Sequence, residues 1–584
     1  MEWRAEGKHD MKRVLSVLDL VCLGIGMMLG AGVFVTTGFV ASTMAGPAVI
    51  LSYAVAGISA LLSSLCYSEF AVRMPLVGGA YTYVNAVFGE YLAWVTVANL
   101  ILEYILANAA AIRGFAPYFS MLVNQPADKF ITPWQGYNLD WWAFGLSLAI
   151  TILLTLGTKE SSRFNIIVTL AHVVLVVFII IAGLVKSKPS NTQPFFPFEI
   201  RGVFNGAALV FFSYIGFDSV ACSAEEVRNP KRDLPLGILG ALCITSAQTR
   251  DLPLGILGAL SVRNPKRDLP LGILGALGVV TICYMLMSAV LVMMVPLAAL
   301  DKGASFAAAF SYVNMDWARY IVALGALMGI ITTTLVGMYA TSRIVAAVGR
   351  QHILPPFLAR VHPRWATPYV ATISQGIASA VIALFTDFAD LAEMVSISTL
   401  FAFWMVALAL IWHRYCQPGT GAAPPMKHRA MVGAHMGIIV AASLAFTIVY
   451  QVHQQAWIGL VVCAAVAIAA TISLHLMCKQ YNVPTLYGVP LFPYVPALSV
   501  AVNAFLLGQL QKPAYERFGI WTGFITLFYI FYSMPATSYR EDRSALPGKA
   551  VVDSQQQLAE QESVVPPSKR QLTEQDSTQP QALP

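Results

Sequence analysis

Apolar residues in this chain fall into long runs that are separated by short polar segments. A helix needs about 20 apolar residues to cross the ~30 Å hydrocarbon layer of a bilayer. By that measure the pattern predicts fourteen membrane spans, of which the fourth and ninth are short. They lie near residues 14–40, 48–70, 88–112, 141–157, 164–185, 203–222, 271–296, 319–347, 369–386, 391–413, 432–452, 456–478, 489–510 and 518–536. The pattern therefore predicts an all-α polytopic membrane protein.

Composition supports this prediction. Of the 584 residues 57% are hydrophobic and 11% are charged, whereas a soluble domain usually carries about a quarter charged residues. Residues 1–13 are polar and basic and lead directly into the first span, so we expect a cytosolic N-terminus without a removable signal peptide. Residues 541–584 are rich in Gln, Glu, Ser and Pro and predict a disordered cytosolic tail.

The distribution of positive charge predicts the orientation in the membrane. An even number of spans places both termini on one side, and cytosolic segments carry an excess of Lys and Arg. With both termini in the cytosol, nine of the 36 Lys and Arg residues fall in outer segments and 27 in inner ones. This bias accounts for most of the net charge of +6, and we expect no nucleic-acid partner.

Cysteine and histidine spacing indicates neither a metal site nor a cofactor. The eight cysteines lie in or beside apolar segments without CxxC spacing, and the nine histidines show no HExxH pattern. Isolated buried thiols are the simplest interpretation. The chain has no GxSxG motif and no clustered His and Asp residues, so we do not expect an enzyme.

Two spans contain glycines that could interrupt a helix inside the membrane. GIGMMLGAGVF places Gly30 and Gly32 in the first span, and FFSYIGFDS places Gly216 and Asp218 in the sixth. Glycine in a membrane helix often only lets helices approach closely. An acid within a span suggests function, but Asp218 could also cap a helix or lie in solvent at the cytosolic end.

The correspondence of these two spans is more informative than either motif. They occupy equivalent positions in two halves of five spans each, and paired discontinuous helices mark the binding site of inverted-repeat transporters. The N–H groups freed by a break and the positive end of a half-helix can hold a carboxylate. Freed carbonyl groups can hold an ammonium group, so the pattern suits a zwitterionic α-amino acid.

Eight motifs between about residues 10 and 540 carry a family resemblance. They are LGAGVFV, AGPAVILSYAVAGISALLSSLCYSEF, LILEYILANAAAIRGFAPY, FSYIGFDSVACSAEEVRNPKRDLPLGI, GRQHILPPFLARVHPRWATP, FADLAEMVSISTLFAF, VPLFPYVPALS and YERFGIW. In combination they resemble the cationic amino acid transporters of the amino acid–polyamine–organocation superfamily, in a plant-like form. The last two motifs match the extra pair of C-terminal spans that separates this family from its twelve-span relatives.

This resemblance implies a fold and a site. It implies ten core spans in two inverted halves at residues 14–413, followed by four peripheral spans at 414–540. It implies that the substrate carboxylate binds at Gly30, Ala31 and Gly32. The amino group would bind carbonyls in the segment Phe212, Ser213, Tyr214, Ile215 and Gly216. Phe212 and Phe217 would form an aromatic wall or gate over the site.

Two ionisable residues within apolar runs are candidates for proton coupling. Glu103 lies in NLILEYIL of the third span, and His172 lies in TLAHVVLVV of the fifth. Some prokaryotic relatives have a Lys at the fifth-span position that pairs with the third-span acid, and histidine titrates near neutral pH. The alternatives are a structural hydrogen bond between the two side chains, or no contact.

The motif ITTTL places three threonines at 332–334 of the eighth span. In sodium-coupled relatives, hydroxyl groups near this point bind the ion. Hydrogen bonding of each hydroxyl to the carbonyl one turn earlier is the favoured alternative.

The expected function is alternating-access transport of amino acids through the lipid bilayer, with lysine, arginine and ornithine as the implied substrates and protons as a candidate coupling ion. No carboxylate can be assigned to a cationic side chain from the sequence alone. Neutral amino acids, polyamines and a membrane sensor that binds amino acids without transport are therefore alternatives. The resemblance implies the plasma membrane or the vacuolar membrane.

A tandem repeat lies in the predicted cytosolic loop between spans six and seven. VRNPKRDLPLGILGAL begins at Val227 and again at Val262, and a partial copy begins at Arg250. The repeat lengthens the loop by 35 residues, about 228–262. Its apolar run of about fourteen residues is too short for a span. The identity of the copies indicates a recent duplication or a gene-prediction error.

Overall fold

A computed structural model describes residues 27–73, 80–134, 137–156, 158–216, 265–363, 365, 367–418, 423–452, 456–484 and 487–537. Phe217, Asp218, most of the tandem repeat, residues 1–13 and the 541–584 tail lie outside this part of the chain. The last copy of the repeat continues from Pro265 as the first turns of a helix. By internal contacts, residues 1–526 form one compact unit and residues 527–584 a second, whose described part includes the π-helical turn Tyr529–Ser533.

Helices dominate the described residues. In chain order they are α1 Ala31–Val40, α2 Val49–Arg73, α3 Ala80–Phe88, α4 Glu90–Arg113, α5 Phe115–Val123, α6 Trp141–Leu156, α7 Thr158–Lys186, α8 Glu199–Val210, α9 Pro265–Met294, α10 Ser305–Tyr312, α11 Asp316–Arg350, α12 Tyr369–Phe385, α13 Phe388–Cys416, α14 Met426–Val452, α15 Trp457–Met477, α16 Tyr494–Gly508 and α17 Lys512–Phe528.

Eight helical stretches in the described part are long and apolar enough to cross a membrane. They are Ala31–Phe70, Glu90–Val123, Ile167–Lys186, Asp316–Arg350, Phe388–Cys416, Met426–Val452, Trp457–Met477 and Lys512–Thr537. Four shorter apolar helices are Trp141–Leu156, Val280–Met294, Tyr369–Phe385 and Tyr494–Gly508. The prediction of a helical membrane protein is therefore confirmed, whereas the count of fourteen crossings stays a prediction.

Burial differs among the long apolar helices. In the most apolar stretch of α13 89% of the residues are buried in protein, in that of Glu90–Val123, which spans α4 and α5, 83% are buried, and in that of Ile167–Lys186 in α7 41% are buried. The corresponding shares are 33% for α14 and 17% for α15. An apolar helix that does not bury its surface in protein is suited to contact lipid instead. α14 and α15 therefore have the surface of lipid-facing helices.

The connections contain structure that the apolar runs do not predict. α3, α5 and α10 are short helices, and strands β1 Ile131–Trp134 and β2 Tyr137–Asp140 pair antiparallel. This hairpin is an addition to the predicted helical architecture that the sequence did not indicate, because two four-residue strands leave no apolar run to detect.

Asp140 anchors the hairpin to the helices. Its carboxylate accepts a hydrogen bond from the Ala143 amide at 2.9 Å in the first turn of α6. Arg113, at the end of α4, lies 3.9 Å from the same carboxylate and donates to the Asn138 carbonyl at 2.9 Å. Burial raises the pKa of the Asp140 carboxyl, although the Ala143 amide and Arg113 oppose that shift. The hairpin thus connects the end of α4 to the start of α6.

Candidate functional site

The first predicted break is present at Leu29 and Gly30. Met27 and Met28 are helical, the next two residues form a bend, and α1 begins at Ala31. Gly30 has φ −80° and ψ −120°, which is outside the helical region. The bend leaves the Ala31 N–H without a helical acceptor, and this group donates to the Thr333 hydroxyl of α11 at 2.9 Å.

A second break follows α8. The helix ends at Val210, a 3₁₀ turn covers Phe211–Tyr214, and Ile215 is extended, with φ −66° and ψ 135°. Gly216 has φ +140°, a backbone conformation that residues other than glycine rarely adopt. A Cβ atom on Gly216 would also lie 2.9 Å from the Cβ atom of Met27. This glycine is therefore required by both its backbone angle and its contact with the first break.

The two breaks lie against each other. A Cβ atom on Gly32 would be 2.6 Å from the Cα atom of Ser213, so only glycine allows this approach. The Thr36 hydroxyl, one turn further along α1, lies 3.0 Å from the Ser213 hydroxyl. Two segments about 180 residues apart in the chain are thus in direct contact, as expected if they build one site.

Tyr284 of α9 connects both breaks. Its hydroxyl lies within hydrogen-bond distance of the Met28 carbonyl and 2.9 Å from the Ser213 carbonyl. Each carbonyl belongs to a segment that has left helical geometry, so a partner from another helix compensates for a missing backbone bond. Tyr284 was not among the residues predicted from sequence, because nothing in its local motif distinguishes it from other buried tyrosines.

A second tyrosine supports the same region. The Tyr53 hydroxyl of α2 lies 3.0 Å from the Thr36 hydroxyl and 2.8 Å from the Thr37 hydroxyl. The Tyr214 hydroxyl donates to the Tyr53 carbonyl at 2.7 Å. Tyr53 and Tyr214 are both fully buried. Among the described residues, the groups that form this network are hydroxyls and backbone groups, and none of them carries a formal charge.

Phe212, one of the two predicted gate residues, belongs to a row of aromatic rings. The centroid of its ring lies 6.4 Å from that of Phe388 at the start of α13, and Phe388 lies 5.8 Å from Phe39 of α1. The Phe212 side chain is 4% exposed. The other predicted gate residue, Phe217, lies outside the described residues. The observed rings lie in a row that begins at Phe212 of the second break and ends at Phe39 of α1.

The three threonines of α11 have different partners. The Thr332 and Thr334 hydroxyls donate to the Met328 and Ile330 carbonyls, at 2.8 and 2.9 Å. The favoured alternative, hydrogen bonding within the helix, is thus what these two show. Thr333 instead faces the first break, where it accepts from the Ala31 amide.

His172 and Glu103 occupy different surroundings. Nδ1 of His172 lies 3.2 Å from the Gly325 carbonyl of α11, and its ring centroid lies 5.2 Å from that of Phe34. Glu103 is fully buried in α4. The observed hydrogen bond of the imidazole therefore joins α7 to α11 rather than to Glu103, and it places the imidazole beside the first broken helix.

A charged group that the sequence did not predict joins α2, α13 and the segment before α16. The Glu69 carboxylate is 0% exposed and accepts from Nε and Nη2 of Arg414, the former at 2.8 Å. It also lies 3.1 Å from Arg73 and accepts from the Val489 amide at 2.8 Å. We call Glu69, Arg73, Arg414 and the Val489 amide the Glu69 cluster. The Glu69 carboxylate is thus paired with two guanidinium groups and an amide, an arrangement suited to holding these segments together.

Comparisons with known proteins match nearly the whole chain. The amino acid permease model matches residues 15–248 and 256–474, and the model for the C-terminus of that permease matches residues 487–537. Cationic amino acid transporter 1 of Arabidopsis thaliana is 38% identical over 541 residues, which cover 92% of this chain and 85% of the relative. Cationic amino acid transporter 7, chloroplastic, of the same plant is 38% identical over 94% of this chain and 90% of its own length.

A bacterial relative is named for a substrate other than a cationic amino acid. The methylthioribose transporter of Bacillus subtilis is 34% identical over 78% of this chain and 92% of its own length. The amino acid permease model covers both of the broken helices described above. The chain therefore belongs to the amino acid permease family and is a membrane transporter protein.

Proposed function

We propose that this protein carries cationic amino acids such as lysine, arginine and ornithine across a membrane by alternating access. The observation that carries the proposal is the contact between the two broken helices, where Gly32 meets Ser213 in the buried interior. The names of the plant relatives support the substrate class.

The geometry suits the two charged groups of an amino acid backbone. Gly30, Ala31 and Gly32 offer amides at the N-terminus of α1, where the helix dipole favours a carboxylate. The segment 212–216 offers carbonyl oxygens to the amino group. In the structure the Ala31 amide donates a hydrogen bond to the Thr333 hydroxyl, and the Tyr284 hydroxyl donates one to the Ser213 carbonyl. A substrate would exchange with these neutral partners, which costs less than separating a charge pair.

For the architecture, the proposal is a core of two inverted five-span halves at residues 14–413, four peripheral spans at 414–540 and about fourteen crossings. Residues 1–13 and 541–584 would lie in the cytosol. The excess of Lys and Arg in the predicted inner segments supports this orientation, and the low burial of α14 and α15 supports their peripheral position. The membrane would be the plasma membrane or the vacuolar membrane, and three of the relatives are named vacuolar.

Protons are the proposed coupling ion, with Glu103 and His172 as candidates for carrying them. Both are buried ionisable side chains, and His172 touches α1 through Phe34. Protonation of a group beside a broken helix can bias the position of that helix. Glu103 would act at α4 rather than in a direct pair with the imidazole.

Uptake by the purified full chain in proteoliposomes tests the proposal. The panel is radiolabelled lysine, arginine, alanine, spermidine and methylthioribose, each at an outer pH of about 5.5 and 7.5. We expect lysine and arginine to enter, and to enter faster at the lower pH. Glu103→Gln should remove the pH dependence. Binding of lysine without uptake would instead support the sensor, and equal rates at both pH values would contradict proton coupling.

A further inference from the structure

A cavity of about 540 Å³ lies beyond the aromatic row at the end of α1. Its walls come from the last turns of α1, the start of α8, one face of α13 and the residues that follow α16. Lining side chains used below are Phe39, Phe198, Asn205, Glu393 and Gln509. Such a volume falls within the range of about 300–1,000 Å³ that is typical of small-molecule sites.

Three side chains of this cavity have acceptor oxygens without a hydrogen-bond donor among the described residues. Oδ1 of Asn205 and Oε1 of Gln509 are buried and accept no hydrogen bond in that part of the chain. Glu393 is 7% exposed, and its carboxylate forms no hydrogen bond or ion pair with a described residue. The three side chains come from α8, α13 and the residue that follows α16, so tertiary structure alone brings them together.

Glu199 also lines the cavity but is exposed, and two further charged residues in or beside the cavity have side-chain partners. Asp390, one turn before Glu393, binds Arg517 at 2.8 Å. Arg201 also lines the cavity, and its guanidinium donates to the Gln451 side chain at 2.8 Å. The carboxylate of Glu393 is therefore the buried charge of the cavity, and among the described residues Arg517 acts on it electrostatically without a direct ion pair.

This chemistry selects for a cation with several hydrogen atoms to donate. An ammonium group offers three donors and a guanidinium group five, and neither can accept. A carboxylate with two amide oxygens provides acceptors only, and hydrogen bonds between charged partners are the strong ones. The rings of Phe39 and Phe198 add faces that attract a cation.

The cavity is also continuous with the row of rings over the breaks. Phe39 lines it and contacts Phe388, and Phe388 contacts Phe212. We infer that this cavity is a vestibular site for the ammonium or guanidinium group of a cationic substrate, and that Glu393 selects for the positive charge before the substrate passes the rings. This inference rests on the proposed function for the identity of the substrate, but binding of a cation at the cavity can be measured without transport.

Agmatine, which has an amine and a guanidinium but no carboxylate, is the probe for binding. Isothermal titration of the purified full chain in detergent should show agmatine binding that Glu393→Gln weakens about tenfold or more. Asn205→Leu should weaken it by a smaller factor. The matched control is Glu516→Gln, which removes the same charge from an exposed residue of α17 outside the cavity. Absence of agmatine binding to the unaltered chain, or equal affinity in Glu393→Gln, would overturn the inference.

Uptake provides the second measurement. Glu393→Gln should raise the KM for lysine and arginine about tenfold and leave the KM for a neutral amino acid unchanged, while Glu393→Asp restores part of the difference. A loss shared equally by cationic and neutral substrates would contradict selection by Glu393. If the unaltered chain carries no cationic amino acid, the proposed function fails, and the agmatine titration still decides whether the cavity binds a cation. Each variant is first shown to be monodisperse by size-exclusion chromatography.

Discussion

The helix breaks and the Glu69 cluster both bury polar groups in an apolar protein, but they satisfy these groups differently. At the breaks, the partners of the backbone are the neutral hydroxyls of Thr333 and Tyr284. In the Glu69 cluster, a fully buried carboxylate is held by two guanidinium groups and a backbone amide. The first arrangement can exchange partners at modest cost, whereas separating buried charges is expensive.

From this difference we expect the helix breaks to rearrange more easily than the Glu69 cluster. The main chain of the Glu69 cluster is fixed as well, because the Tyr481 and Asn482 amides donate to the Arg414 carbonyl at 3.0 Å. The Arg414 guanidinium also lies 4.1 Å from the centroid of the Phe492 ring. The segment between α15 and α16 is thereby attached to α2 and α13. Exchange of partners is expected at the breaks, and permanence at the Glu69 cluster.

The largest expected effect comes from closing the gap between the breaks. Gly32→Ala would place a Cβ atom 2.6 Å from the Cα atom of Ser213, so the two segments must separate. Misplacement of a binding group by about 1 Å can lower a rate roughly 100-fold. Lysine uptake should fall by about that factor in proteoliposomes. Gly145→Ala in α6 is the control, since its added Cβ atom meets nothing within 4 Å. Equal uptake by both variants would contradict the close approach.

The next effect is on stability and belongs to the Glu69 cluster. Arg414→Met leaves the buried Glu69 carboxylate with Arg73 and the Val489 amide. Removal of one partner of a buried pair costs about 3–5 kcal/mol, and we expect the lower end because Arg73 stays. The apparent unfolding temperature of the purified protein should fall by several degrees. Lys512→Met, which breaks an exposed bridge to Glu516, should change it little. An equal drop in the unfolding temperature of both variants would contradict a stabilising role of the Glu69 cluster.

An intermediate effect is expected at the tyrosine that spans the breaks. Tyr284→Phe leaves the Met28 and Ser213 carbonyls without this donor. A buried acceptor without its donor costs about 1–3 kcal/mol, so Vmax/KM for lysine should fall about tenfold. The unfolding temperature should change less than in Arg414→Met. Tyr312→Phe, on a side chain that is 53% exposed, should transport normally. Unchanged uptake in Tyr284→Phe would argue against a role of this hydroxyl at the breaks.

The smallest expected effect distinguishes neighbouring threonines of α11. Thr333→Val removes the acceptor of the Ala31 amide and should lower lysine uptake a few-fold, the size of one neutral hydrogen bond. Thr332→Val removes only a bond to the Met328 carbonyl of its own helix and should stay near the unaltered rate. Measuring KM and Vmax for lysine in both variants distinguishes the roles of the two threonines. A larger loss in Thr332→Val would reverse the assignment.

Sequence reasoning succeeded where the signal is local. Long apolar runs identified helices such as α4, α11 and α13, and the glycines of GIGMMLGAGVF and FFSYIGFDS marked both breaks. It failed where the partner is distant in the chain. Tyr284 lies 256 residues from Met28, and Arg414 lies 345 residues from Glu69. Neither pair leaves a trace in the motif around either residue.

By itself the sequence determined the class of the protein, its long apolar helices and the two points where helices break. Hydrophobic runs, glycine positions and charge bias are properties of short segments, and the bilayer constrains such segments strongly. Only the tertiary structure decided which side chains complete the backbone at those breaks, and that Glu69 binds Arg414. It also brought Asn205, Glu393 and Gln509 around one cavity. The physical reason is that satisfying a buried polar group requires a partner within about 3 Å in space, wherever that partner lies in the chain.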